Sequence, residues 1–206
     1  MKEALAIVAA VIAVFSTTPY IVDVFKGKTR PNVVSWFTWG LLNSIAMAAA
    51  FTAHESRTAL LMMGASIATL AVVVAGLKYG RAELSVFDGL CQAGAVAGLI
   101  FWLIFNSPTV AMSSSFGISL IAALPTIRHA WLKPAEETWQ TFVLAALPAA
   151  LTIVSLSSFT FNSLLMPIFL VWVNTTIAST TLYRRQKLGM GFSKLSTNLK
   201  PQPKKA

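Results

Sequence analysis

Charge is what this 206-residue chain has least of: 11% of its residues are Asp, Glu, Lys or Arg, against 56% hydrophobic. Water-soluble domains carry about 25% charged residues. A chain this poor in charge cannot cover a water-facing surface, which excludes a soluble enzyme, a disordered protein and a free-standing nucleic-acid binder. Cysteine is scarcer still. Cys91 stands alone, so there is no internal disulfide and no cysteine-based metal cluster. His54 and His129 lie far apart in sequence and offer no metal-ligand spacing, so no metal site and no cofactor are expected. Only Asp88 lies well inside an apolar run, one turn from its start and close to Lys78 and Arg81. No acid falls near the middle of a run, where a proton relay would need one. There is also no His-Glu metal motif, no Gly-rich phosphate loop and no paired Ser/His or Asp/Asp at mid-depth, so an enzyme is not expected.

What is present is apolar sequence in long stretches. Seven runs can be read: Ala4–Val24, Val33–Ala53, Ala59–Leu77, Leu84–Phe105, Val110–Ile127, Trp139–Leu156 and Leu164–Leu182. Each is near the ~20 residues a helix needs to cross a bilayer. The runs are continuous rather than alternating, which excludes a barrel. A signal-peptide reading of Ala4–Phe15 competes for the first run. Glu3 weakens its basic start, and apolar character resumes at Tyr20–Phe25 without a clear cleavage site.

The formal charge of +9 has a position as well as a sign. With seven spans and the N-terminus outside, the inner loops and tail hold Lys26, Lys28, Arg30, Lys78, Arg81, Arg128, Lys133, Arg184, Arg185, Lys187, Lys194, Lys200, Lys204 and Lys205. The outer side holds only Lys2 and Arg57. Cytoplasmic loops carry the excess of Lys and Arg, so the chain is expected N-out and C-in. The short loops point to a bacterial inner membrane. The basic tail suits anionic lipid rather than nucleic acid.

The chain also repeats itself. The segment from Pro19 to Trp39 and the segment from Pro125 to Phe142 share a pattern: Pro19 with Pro125, Ile21 with Ile127, Phe25 with Trp131. After a three-residue shortening of the loop, Ser35 matches Thr138, Trp36 matches Trp139, Thr38 matches Thr141 and Trp39 matches Phe142. Spans 1–3 and 5–7 then become equivalent, and span 4 is a connector that restores the starting orientation. The expected fold is an all-α membrane protein of seven transmembrane helices, two parallel three-helix repeats in a 3+1+3 order. Residues 1–80 form the first repeat, 81–107 the connector, 108–184 the second repeat and 185–206 the basic tail. Parallel repeats of this kind place a solute site between the halves.

This order, with a proline near the inner end of spans 1 and 5, resembles the SWEET and SemiSWEET sugar facilitators of the PQ-loop superfamily. The family's Pro-Gln pairs read Pro19-Tyr20 and Pro125-Thr126 here, and Pro167 is followed by Ile168 rather than asparagine. The resemblance implies alternating access, with Pro19 and Pro125 as hinges of the inner gate.

Candidate solute-binding residues follow from depth and chemistry. Trp39 and Asn43 share a face of span 2, and Phe142 answers Trp39 in span 6. An aromatic face stacks on planar or apolar groups, and an amide donates and accepts. Asn174, near the middle of span 7, either faces solute or ties helices together. Ser66, with Thr69, is its nearest counterpart in span 3. For Trp36 and Trp139 an interfacial aromatic belt is the competing reading. The expected function is a facilitator for a small polar solute, a sugar among the candidates. The alternatives are another PQ-loop-type transporter or receptor with an amino-acid or lipid ligand, and a non-transporting structural subunit. Self-association into a homo-oligomer is left open.

Overall fold

The structure, a computed structural model, describes residues 1–29, 31, 33–79 and 107–190, with scattered positions between 86 and 105. Arg30, Arg81, Asp88, Cys91, most of the expected connector and residues 191–206 of the tail lie outside the described residues.

Among the described residues the regular structure is helical throughout: α1 Lys2–Phe15, α2 Thr18–Phe25, α3 Val33–Thr52, α4 Ser56–Tyr79, α5 Pro108–Leu132, α6 Trp139–Ser155 and α7 Phe161–Lys187, with a 3-10 turn at Pro134–Glu136. Among the described residues five stretches are long and apolar enough to cross a membrane: Lys2–Phe25, Val33–Thr52, Ser56–Leu77, Thr109–Leu132 and Phe161–Lys187. At 17 residues, α6 is shorter.

The first run was expected as one helix and is two. An unbroken helix would ask the nitrogen of Pro19 to donate to the carbonyl of Phe15. Proline has no such hydrogen, and its ring presses on that carbonyl. So α1 stops at Phe15, and α2 restarts with Pro19 in its first turn, where no donor is required. Pro125 carries the same chemistry but sits inside an unbroken α5. The two matched prolines therefore do different things.

The helices pack in a closed ring. α1 lies against α4, α4 against α3, α3 against α5, α5 against α7, α7 against α6, and α6 against α1. In each sequence triplet, α1/α3/α4 and α5/α6/α7, the third helix sits between the other two. Exchanging one triplet for the other leaves the ring order unchanged.

The halves are packed by different means. On α1, Ala6, Ala9, Ala10 and Ala13 form a buried stripe. It faces Gly64 of α4, where an added Cβ would lie 2.6 Å from the Ala10 carbonyl oxygen and 2.8 Å from the Ala13 Cβ. Small residues at such spacing let helix backbones approach closely. Between α5 and α7 the contact is instead aromatic, with Phe116 and Phe169 edge-to-face at 5.3 Å.

Three helices end in the same hydrogen-bonded cap. Gly27 and Lys28 close α2 on Val24 and Asp23, and Gly189 and Met190 close α7 on Gln186 and Arg185. His54 and Glu55 close α3 on Phe51 and Ala50. This cap needs a left-handed residue. Gly27 and Gly189 adopt it at φ 68° and 66°, and His54 does so at φ 60° despite its side chain.

Candidate functional site

The two triplets enclose a cavity of about 70 Å³. The break between α1 and α2 and all six ring helices line it. Of the residues expected at a solute site, Trp39, Asn43, Phe142 and Asn174 are brought together there. Ser66 is not among the lining residues: its hydroxyl pairs with Ser44 Oγ at 2.6 Å, between α3 and α4. Thr69, one turn further along α4, lines the cavity instead.

Polar atoms in the wall are of two kinds. Ser16 and Thr17, at the helix break, donate to the carbonyls of Ala13 at 2.7 Å and Ala68 at 3.2 Å. Thr69 donates to the Ala65 and Ser66 carbonyls of its own helix, and Asn174 Nδ2 donates to the Leu170 carbonyl at 2.8 Å. Thr141 differs: it is buried, and its Oγ1 has no partner among the described residues. A buried unpaired hydroxyl costs roughly 1–3 kcal/mol. Among the described residues no charged side chain lines the cavity.

An aromatic cluster closes the cavity towards the loops at 26–31 and 133–138, here termed the basic end. Tyr20 of α2 lies 4.9 Å from Trp36 of α3, and Trp36 stacks on Phe142 of α6 at 6.5 Å. Trp39 meets Trp36 edge-to-face at 5.5 Å. Tyr20, Trp36 and Phe142 are all buried. Trp36 is thus a cavity residue, whereas Trp139, its sequence counterpart, lies in an outer groove with Pro19, Asp23 and Thr138.

Beyond the cluster, hydrogen bonds join the halves. Thr138 donates to Asp23 Oδ2 at 2.9 Å and lies 2.9 Å from the Thr29 hydroxyl. Within the second half, Glu137 is buried, with Oε1 2.6 Å from His129 Nδ1. Arg185 donates to the carbonyls of Pro134 and Glu137. At the opposite, amino end, Thr58 of α4 donates to the Ser163 carbonyl of α7 at 2.9 Å. Thr160, which caps α7, donates to Glu55 Oε1 at 2.6 Å. Arg57 bonds Ser157, and Lys2 donates to the Leu156 carbonyl. Contacts between the halves are therefore present beyond both ends of the cavity.

Sequence reasoning missed Ser16, Thr17 and Thr141. The signal for the first two was the Ser-Thr-Thr-Pro run at 16–19, since hydroxyls ahead of a proline can satisfy the carbonyls a break sets free. Thr141 is adjacent to a residue that was found, Phe142, and carries no sequence signal of its own.

Compared with protein-family models, curated proteins and solved structures, the chain finds no match.

Proposed function

We propose that the chain is a membrane-embedded facilitator for a small, neutral, polar solute, built as two parallel three-helix repeats around a central site and working by alternating access. The observation that carries this reading is the ring order, unchanged when the triplets are exchanged, around an uncharged cavity with polar groups in its wall. Two halves that pack along α3–α5 and α1–α6 and are tied by breakable hydrogen bonds at each end suit a rocking carrier. The broken first helix supports the same reading. Irregular backbone at membrane depth is tolerated only where it is buried in protein or lines a cavity, and Ser16 and Thr17 line this one.

The cavity is smaller than the roughly 300–1,000 Å³ of drug-sized ligand pockets. A larger solute therefore requires the halves to part, and the end contacts are the gates that do so. The uncharged wall favours neutral cargo, because an ion would enter without a counter-charge. Basic-residue placement orients the protein N-out and C-in, which makes the basic end cytoplasmic.

The test is counterflow in proteoliposomes with a panel of neutral polyols, amides and sugars. Saturable exchange of at least one, lost in Asn43→Ala/Thr141→Val, is the expected result. Folded protein that exchanges none of them, with its cavity unreactive to small probes from either side, would leave a structural subunit as the reading.

A further inference from the structure

A second concavity lies on the outside of the bundle near the basic end, between α5 and α7. It is an open groove of about 600 Å³ lined by Leu124, Ile127, Arg128, Trp131, Leu132 and Thr180. Its floor is aliphatic, and its cationic end is Arg128. Among the described residues Arg128 has no carboxylate partner: Glu136 and Glu137 are taken by His129, and Glu136 also by Lys133. A second cation lies against Trp131, which lines the groove. The guanidinium of Arg184 lies 4.7 Å from the centroid of the Trp131 ring, and its Nε donates to the Trp131 carbonyl at 2.9 Å. Trp131 in turn stacks with Tyr183 at 6.2 Å, and Lys187 sits over the Tyr183 ring at 5.0 Å.

We propose that this groove is a binding site for an anionic phospholipid, with one acyl chain along Leu124, Ile127 and Leu132 and the phosphate between Arg128 and Arg184. Charge complementarity selects this occupant. A neutral lipid or an apolar helix would cover the floor but leave two cations uncompensated. Trp131 and Tyr183 mark the depth, since aromatic side chains with a polar edge settle at the headgroup level. Arg184 is held in place by its stacking on Trp131, so little side-chain freedom is lost when a phosphate arrives. The Thr180 hydroxyl lies within the same groove as a further polar group for the headgroup. The site is distinct from the basic tail: its cations are on helices, and they have an apolar slot beside them. A lipid wedged between α5 and α7 would bias the second half of the bundle wherever those helices move.

The inference rests on the membrane reading and is independent of transport. The test uses the full chain in phosphatidylcholine vesicles doped with brominated-chain phosphatidylglycerol or brominated-chain phosphatidylcholine. Bromine quenches tryptophan at contact, and the difference between wild type and Trp131→Phe isolates the groove. The Trp131 component should report a several-fold preference for phosphatidylglycerol. Each cation near a membrane surface contributes about fivefold, so Arg128→Gln and Arg184→Gln should each lower that preference by about that factor. An unchanged preference in Arg128→Gln would overturn the proposal and assign the selectivity to the tail. Equal quenching by both lipids in wild type would also overturn it, as would a shielded Trp131 accompanied by a doubled particle mass, the mark of a second copy. Absence of quenching at every tryptophan would instead remove the membrane reading itself.

Discussion

Thr58 and Ser163 each stand third in their helices, α4 and α7, and Thr58 donates its hydroxyl to the Ser163 carbonyl. Equivalent positions of the two triplets thus touch each other at the amino end, both fully buried. Glu55 and Thr160 repeat the relation one turn earlier, each directly preceding its helix. An axis relating the two proposed repeats would pass between these contacts.

Thr58→Val keeps the shape and removes the bond. The loss is about 0.5–1.5 kcal/mol of the closed state, or roughly 2- to 13-fold in its population. An Ala65→Cys probe in the cavity wall should then react faster with small thiol reagents added from the amino side. An unchanged labelling rate would mean that Glu55 and Thr160 hold this end alone.

Thr141→Val separates binding from folding. The wild-type hydroxyl is buried without a partner, so an apolar side chain of the same shape should leave the thermal midpoint unchanged or raised. If the hydroxyl serves solute, the half-saturation concentration rises roughly 2- to 13-fold. Asn43→Ala should raise it similarly, and Trp39→Ala more, because a stacking surface is lost as well. A lowered midpoint in Thr141→Val would show that the hydroxyl serves the fold.

Pro19→Ala restores the missing backbone donor at the break. It should slow exchange while the protein stays folded, because a continuous first helix withdraws Ser16 and Thr17 from the wall and favours one end state. Pro125→Ala, within a helix that is already continuous, should have the smaller effect. Initial rates of counterflow measure both, and equal effects would contradict the different roles of these prolines.

Gly64→Ala and His54→Gly should move stability in opposite directions. The first forces a methyl group against the Ala10 carbonyl, which cannot rotate away, and overpacking of this kind costs roughly 1–3 kcal/mol. The second relieves a left-handed strain of roughly 1–2 kcal/mol against glycine's extra unfolded-state freedom of roughly 0.5–1 kcal/mol, for a net gain of up to roughly 1.5 kcal/mol. Thermal midpoints in one detergent compare the two directly.

Orientation is testable by single-cysteine labelling on a Cys91→Ser background. Positions 28 and 135 should react only from the cytoplasmic side, and positions 108 and 160 only from outside. Reaction of 108 or 160 from the cytoplasm alone would reverse the charge argument.

Helix positions and the core of the cavity were legible because apolar length and helical spacing are local properties. Trp39, Asn43, Phe142 and Asn174 stood out as polar or aromatic groups deep in apolar runs, and depth is what a central cavity demands. Ser66 and Thr69 could not be told apart, since one turn of helix decides which hydroxyl meets Ser44 and which faces the cavity. Trp36 and Trp139 look alike in sequence. Their difference arises from Tyr20, which α2 brings over Trp36, and that is a tertiary fact. The links of Glu137 to His129 and Arg185 join three separate segments and have no signature in any one of them.

The contact between the alanine stripe of α1 and Gly64 involves only methyl groups and main chain, none of which has a rotamer to change. These two helices cannot yield to one another; they can only separate or travel together. The facing pair, α5 and α7, meets through the rings of Phe116 and Phe169, which can tilt. The bundle thus has one stiff jaw and one compliant jaw. Were the halves to rock as proposed, bending in the stiff jaw would fall on the backbone at Ser16 and Thr17, whereas the compliant jaw could distribute it over its side chains.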